Sequence, residues 1–152
     1  MNYRNYSWRV DVYHVDANKV GKELEEVEKN MELNAKNVLE YAKNPKTTLN
    51  KMFDWDDTSA ANKYRLQQAS QIIKNIRVDF VNKDEDVVPV RAFVKTTKKY
   101  SENYQNIESV VSDSEKYAML LSKAYAELNS TKRRYSELEE IQELLKDIPE
   151  VL

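Results

Sequence analysis

The chain has 152 residues, of which 41% are hydrophobic, so it can bury a core, and global disorder is excluded. Its formal net charge is only -2, so any surface that attracts nucleic acid must be local. With no cysteine and one glycine, it has no disulfides, thiolate zinc sites, cysteine nucleophiles or glycine-rich phosphate loops.

The start of the chain, from Met1 to Asp16, is polar and charged, and no run of about 18 apolar residues occurs anywhere. We therefore expect neither a signal peptide nor a membrane-spanning segment. The expected location is the cytoplasm.

The first part of the chain predicts a strand and two helices. Apolar and polar residues alternate from Trp8 to Tyr13, as in a strand with one buried face. Asp16 is suited to cap a helix, and Asn34 to cap a second, shorter one that ends before Pro45. The first helix carries one apolar stripe: Val20, Leu24, Val27 and Met31.

A third helix is predicted where acidic residues are missing. From Thr58 to Val78 there are four basic residues and no acid. Apolar residues recur there at helical spacing: Leu66, Ala69, Ile73 and Ile76, with Ala61 and Tyr64 upstream. After Ile76 the apolar period becomes two, so the helix is expected to continue into a strand.

The next segment predicts a hairpin. Asn82 to Asp86 is a polar turn, and Val87 to Lys95 alternates as a return strand, which Pro89 confines to an edge or a bulge. Strand, helix, helix, turn, helix and hairpin follow one another almost as in a winged helix-turn-helix. The predicted fold class is α+β, mainly helical, with a winged-helix-like domain at residues 1–97.

Residues 98–152 are predicted to form a helical arm. A polar linker from Thr96 to Asn106 precedes a capping box at Ser112 and Glu115. A continuous helix beyond it would be about 50 Å long and could not bury its stripe on a small domain. Either it folds back near Asn129 as a helical hairpin, or it pairs with a second chain. The stripe, and thus the predicted dimerisation surface, comprises Tyr117, Leu121, Leu128, Tyr135, Leu138 and Leu145.

The polar face of the predicted third helix is a candidate for DNA binding. Lysine and arginine neutralise phosphates, and glutamine bonds base edges bidentately. A plain solvated face is the alternative, and the acidic hairpin tip and the negative net charge count against DNA. The predicted contacts are Lys63, Arg65, Gln67, Gln68, Gln71 and Lys74, with phosphate contacts from Lys95, Lys98 and Lys99.

The sequence contains no motif that indicates a catalytic site. His14 is the only histidine, and no sequence context pairs it with a serine. Asp54, Asp56 and Asp57 could hold magnesium, but helix capping explains them without a metal. No lysine follows an acid by two positions, as a D/E-x-K nuclease would require. We expect no enzyme activity, no metal site and no cofactor.

One segment carries a resemblance. Leu49 to Asp57, followed by Ala60-Ala61, Tyr64-Arg65, Gln68-Ala69 and Ile72-Ile73, resembles small phage and prophage proteins. The similarity continues in the valine-rich start, the return strand from Pro89 to Val94, and the charged tail from Leu128 to Leu145. The resemblance implies a viral accessory protein that acts in a host cell by binding.

Two functions follow from these observations. The first is a DNA-binding regulator whose arm forms a homodimer, so that two helices meet adjacent half-sites. The second is a protein-binding module, such as an anti-defence inhibitor or a phage assembly factor with a host or phage partner. The acidic hairpin tip, the ten tyrosines and the apolar stripe of the arm favour the second.

Overall fold

The structure is a computed structural model that describes residues 4–56, 59–96 and 102–149. It has a mainly helical α+β fold with small antiparallel sheets, which confirms the predicted fold class. Contacts divide it into two units, which meet between Ile107 and Glu108. In chain order the first unit contains β1 (Tyr6–Trp8), α1 (Ala17–Asn30), α2 (Ala35–Ala42), a 3-10 helix (Leu49–Met52), α3 (Ser59–Asn75), β2 (Ile76–Val81), β3 (Val87–Arg91), β4 (Phe93–Val94) and β5 (Gln105–Asn106).

Both predicted helix caps of the first unit are present. Asp16 accepts a hydrogen bond from the Asn18 N–H at 2.8 Å, and Asn34 accepts one from the Asn37 N–H at 2.8 Å. Three of the four stripe residues of α1 are buried, namely Val20, Leu24 and Val27, whereas Met31 lies beyond the helix and is exposed.

The three-stranded sheet has the order β1-β2-β3, and all its pairs are antiparallel. The predicted strand from Trp8 to Tyr13 is wrong, because β1 ends at Trp8 and leaves Val10 and Val12 exposed. Trp8 pairs with Ile76, the first residue of β2. The chain before Ile76 is the helix α3, which cannot continue the strand pairing with β1. Since β1 precedes all the helices and pairs with the first hairpin strand, the winged-helix arrangement stays a prediction.

The helix α3 passes directly into β2, as predicted. Its buried residues are Ala69, Ile72 and Ile73, and the first strand residue, Ile76, is also buried. Tyr64 does not extend this stripe, because it is 58% exposed. Arg65 lies about 100° further round the helix and packs over Trp55, an orientation that leaves Tyr64 on the outside.

The first unit extends beyond the predicted boundary at residue 97. The strand β5 pairs with β4, and the Tyr104 N–H donates to the Leu33 carbonyl at 2.7 Å. Tyr104 is buried in the same core as Leu24 and Ile72. The predicted linker is therefore wrong at these residues, since β4 offers a strand partner that composition does not reveal.

The second unit consists of helices. After α4 (Ile107–Val111) come α5 (Ser114–Arg134) and α6 (Glu139–Leu145). Asp113 caps α5 by accepting from the N–H groups of Glu115 and Lys116, so the predicted cap at Ser112 is wrong. The Ser112 hydroxyl instead donates to the Glu108 carbonyl, which ties Ser112 to the end of α4.

The arm folds back on itself as a helical hairpin, which is the first of the two predicted alternatives, whereas pairing with a second chain stays a prediction. Gln142 donates to the Lys132 carbonyl at 2.9 Å, and Asn129 donates to the Pro149 carbonyl at 2.9 Å. The reversal lies between Arg134 and Glu139, not near Asn129. Within the described ranges, no helix has the length and hydrophobicity needed to cross a bilayer.

Candidate functional site

A cleft of about 890 Å³ lies in the first unit against the polar side of α3. Polar side chains, three tyrosines and a few apolar groups line it. They are Tyr13, Ala35, Lys36, Met52, Tyr64, Leu66, Gln67, Gln68, Ser70, Gln71, Ile72, Lys74, Lys95, Glu102 and Tyr104.

The cleft brings together several of the residues that the sequence nominated for DNA binding. Gln67, Gln71 and Lys74 share one side of α3, since side chains four and three positions apart are neighbours on a helix. Gln68 joins them on α3, and Lys95 reaches the cleft from the end of β4. Lys63 is exposed on α3 but does not line the cleft, and Lys98 and Lys99 lie outside the described residues.

Arg65 has a different role from the one that the sequence suggested. Its Nε donates to the Asp54 carbonyl at 2.7 Å, a second nitrogen donates to the Asp56 carbonyl, and the guanidinium lies 5.3 Å from the centre of the Trp55 ring. The side chain thus braces the segment that precedes α3. Because two of its nitrogens already donate to carbonyls of the protein, Arg65 is not counted among the residues that could contact DNA.

Gln68 contributes an unsatisfied hydrogen-bond acceptor. Its Oε1 is buried, and no donor among the described residues lies within hydrogen-bonding distance of it. A buried acceptor without a partner costs about 1–3 kcal/mol.

The charged groups of the cleft favour an anion. The lining residues include three lysines (Lys36, Lys74 and Lys95) and a single carboxylate, Glu102. Within the described part of the chain none of the three lysines forms an ion pair. The Lys95 ammonium lies 5.0 Å from the centre of the Tyr104 ring. Burial raises the pKa of the Tyr104 hydroxyl, so this group stays neutral at physiological pH.

The sequence did not nominate Lys36, Tyr13 or Tyr104 for this site. Lys36 belongs to α2, which packs on α3, and the Tyr13 ring packs at a tilt of 49° against Trp8, with ring centres 4.6 Å apart. Their place depends on contacts between segments that are far apart in the chain. No local signal marked them.

The residues considered for metal or catalytic chemistry do not lie in the cleft lining. Among the described residues, no group of three or more potential metal ligands comes together. Asp57, the third member of the predicted magnesium cluster, lies outside the described residues. His14 is exposed in the loop after β1, where its backbone N–H donates to the Asp11 carboxylate at 3.2 Å.

In the second unit, most of the predicted dimerisation stripe is exposed. Leu145 is half-buried, and the other five residues are between 37% and 46% exposed: Tyr117, Leu121, Leu128, Tyr135 and Leu138. The described residues therefore leave a substantial part of this apolar stripe exposed.

Comparison of the chain with protein-family models, with curated proteins and with solved structures found no match.

Proposed function

We propose that the protein is a non-enzymatic accessory protein of phage origin that binds double-stranded DNA through the cleft side of α3. The observation that carries this proposal is the convergence of Gln67, Gln71, Lys74 and Lys95 on one cleft. Amides and ammonium groups are the two chemistries that base edges and phosphates require.

The roles follow from the side chains. Gln67 and Gln71 are exposed on α3 and can each present a donor and an acceptor to a base edge. Gln68 lines the same cleft on α3, but its Oε1 is buried and is not assigned a contact with DNA. Lys74 and Lys95 neutralise phosphates, and because neither has an ion-pair partner in the described residues, no internal ion pair has to break.

A titration of the full chain with a short fluorescent DNA duplex, at low and moderate salt, tests the proposal. Replacing Lys74 and Lys95 by glutamine removes two charges from the cleft. We expect affinity to fall at least about tenfold, and the slope of log affinity against log salt to lose about 0.9 for each contact removed.

The matched control replaces Lys22 and Lys29 by glutamine, because both are exposed on α1 and the change in net charge is the same. This control should bind almost as well as the wild type. Failure of the wild type to bind at micromolar concentration, or equal losses in both variants, would contradict the proposal.

The exposed stripe of the arm favours a second function, association with protein. A homodimer through Leu121 and Leu128 is the simplest form, and a host or phage protein is the other. Mass measurement in solution tests the homodimer. The variant with Leu121→Glu and Leu128→Glu should be monomeric, whereas Ser122→Glu with Ser130→Glu, exposed on the same helix, should stay dimeric. A monomeric wild type would rule out the homodimer.

A further inference from the structure

Three arginines lie together on the outer face of the three-stranded sheet. Arg77 and Arg91 are direct cross-strand partners in β2 and β3. Ile76 and Val78 on either side of Arg77 are buried, so Arg77 projects from the opposite face. Arg9 follows β1, and its N–H donates to the Asn75 carbonyl at 2.9 Å, which places it beside the start of β2.

The positive charges of this arginine surface (Arg9, Arg77 and Arg91) are not balanced within the protein. In the described ranges none of the three forms an ion pair. Burial lowers the pKa of Arg77, and the charges of Arg91 and then Arg9 lower it further. Like charges directly opposite each other destabilise a sheet. The three charges thus repel one another, and a bound anion would offset that repulsion.

Arg77 is held in position by the backbone. Its guanidinium donates to the Lys74 carbonyl at 2.6 Å and to the Ile76 carbonyl at 3.2 Å. The nearest carboxylate along this face of β2 is Asp79, which accepts a hydrogen bond from the Asn5 amide at 2.8 Å. Arg9 and Arg91 are exposed, and their side chains form no hydrogen bond within the described residues.

The hairpin formed by β2 and β3 separates its charges. Arg77 and Arg91 lie at its base, and the acidic run from Asp84 to Asp86 lies at its tip. From Arg77 to the end of β2 the distance is about 13 Å, at about 3.3 Å per residue. An extended polyanion would be attracted to the base and repelled from the tip.

We propose that the arginine surface binds the phosphate backbone of a nucleic acid, as an extension of the contacts in the cleft. Guanidinium groups match phosphate oxygens with paired N–H donors, and bound phosphates offset the mutual repulsion of the three charges. Phosphate contacts of this kind position a ligand and carry no sequence information.

The arginine surface adjoins the cleft at two points. Arg77 bonds the backbone of Lys74, a lining residue of the cleft. Arg91 is close enough to Tyr104, another lining residue, for its charge to act on that hydroxyl. A single nucleic acid can therefore contact both surfaces, and in this sense the inference rests on the proposed function.

The test compares pairs of substitutions in the full chain by titration with duplex DNA. The sheet variant carries Arg9→Gln and Arg91→Gln and keeps Arg77, which has bonds to the backbone. We expect its affinity to fall at least about tenfold, with the salt slope reduced by about 0.9 for each lost contact. Its preference among duplex sequences should not change. The α1 control, with Lys22→Gln and Lys29→Gln, should bind like the wild type.

Amide chemical shifts separate this inference from the proposed function. If the duplex perturbs β2 and β3 together with α3, the inference is supported. Perturbation of α3 alone, with wild-type affinity in the sheet variant, would overturn the inference and leave the proposed function standing. Perturbation of the sheet alone, together with wild-type affinity when Lys74 and Lys95 are replaced by glutamine, would support the inference. It would contradict the assignment of the cleft as a DNA-binding site.

A polyglutamate peptide is the second probe. Shifts in the sheet with this peptide but not with DNA would overturn the inference and identify an acidic protein as the occupant. Absence of shifts with either probe would also overturn it.

Discussion

Both units contain helices with apolar residues at helical spacing, but these residues are buried in the first unit and largely exposed in the second. In the first, the stripes of α1 and α3 meet the sheet and form a core that includes Leu24, Ile72 and Phe93. Among described residues 108–149, only Val110 and Asn129 are buried, and one of them is polar. Periodicity thus identifies an apolar face, but it does not identify what covers that face. The first unit is stabilised by burial, and the second by local helix formation and a few hydrogen bonds.

The largest expected effect comes from removing part of the core. Ile72→Ala should lower the free energy of unfolding by about 2–5 kcal/mol, because Ile72 is fully buried. Leu144→Ala, at a leucine of α6 that is 77% exposed and lies outside the predicted dimerisation stripe, should change it by about 0.5 kcal/mol or less. Urea denaturation of both variants measures the difference. Equal effects would mean that Leu144 is also covered in solution.

The next largest loss of stability is expected when Gly21, the single glycine, is replaced by alanine. A Cβ at Gly21 would lie 2.2 Å from Cδ2 of Tyr6, whose ring also stacks on Phe93. Alanine is favoured over glycine within a helix by about 1 kcal/mol. We nevertheless expect Gly21→Ala to destabilise by about 1–3 kcal/mol, because overpacking outweighs that gain. The exposed neighbour serves as the control, and Lys22→Ala should leave the melting temperature nearly unchanged.

A smaller effect depends on pH. Tyr6 donates from its hydroxyl to Glu25, and burial together with this bond raises the pKa of Tyr6. Because the folded state holds this proton more tightly, the resulting stability is present below the unfolded pKa of about 10 and is lost as pH rises above it. Tyr6→Phe should cost about 1 kcal/mol at neutral pH. It should also weaken the alkaline loss of stability.

Denaturation at several pH values measures this effect, with Tyr117→Phe on the exposed stripe as the control. A Tyr6→Phe variant that kept the full alkaline loss would show that another group causes it.

The smallest expected effect concerns the arm. Asn129→Ala removes the bond to the Pro149 carbonyl and should destabilise the helical hairpin by about 0.5 kcal/mol, the lower end for a bond between neutral groups. Hydrogen exchange of the amides in α6 should accelerate, whereas those in the first unit should not change. Ser130→Ala, at an exposed neighbouring position, is the control. Acceleration in both units would show that they unfold together.

Much of the local structure was predictable because it depends on near neighbours. The caps at Asp16 and Asn34, the passage of α3 into β2 and the hairpin all follow from residues a few positions apart. The polar face of α3 was recognisable for the same reason. The engagement of Arg65 was not, since its partners are backbone carbonyls whose position depends on how the segment before α3 folds.

The fold class, the position of most helices and the existence of two apolar stripes could be predicted from the residues alone, because these features depend on propensity and periodicity. Contacts between distant segments, in contrast, establish where β1 ends, which cations share a cleft and that Arg9, Arg77 and Arg91 lie on one face. Strand register and helix packing bring together residues that are distant in the chain. Such pairings depend on three-dimensional complementarity, which a local pattern does not encode.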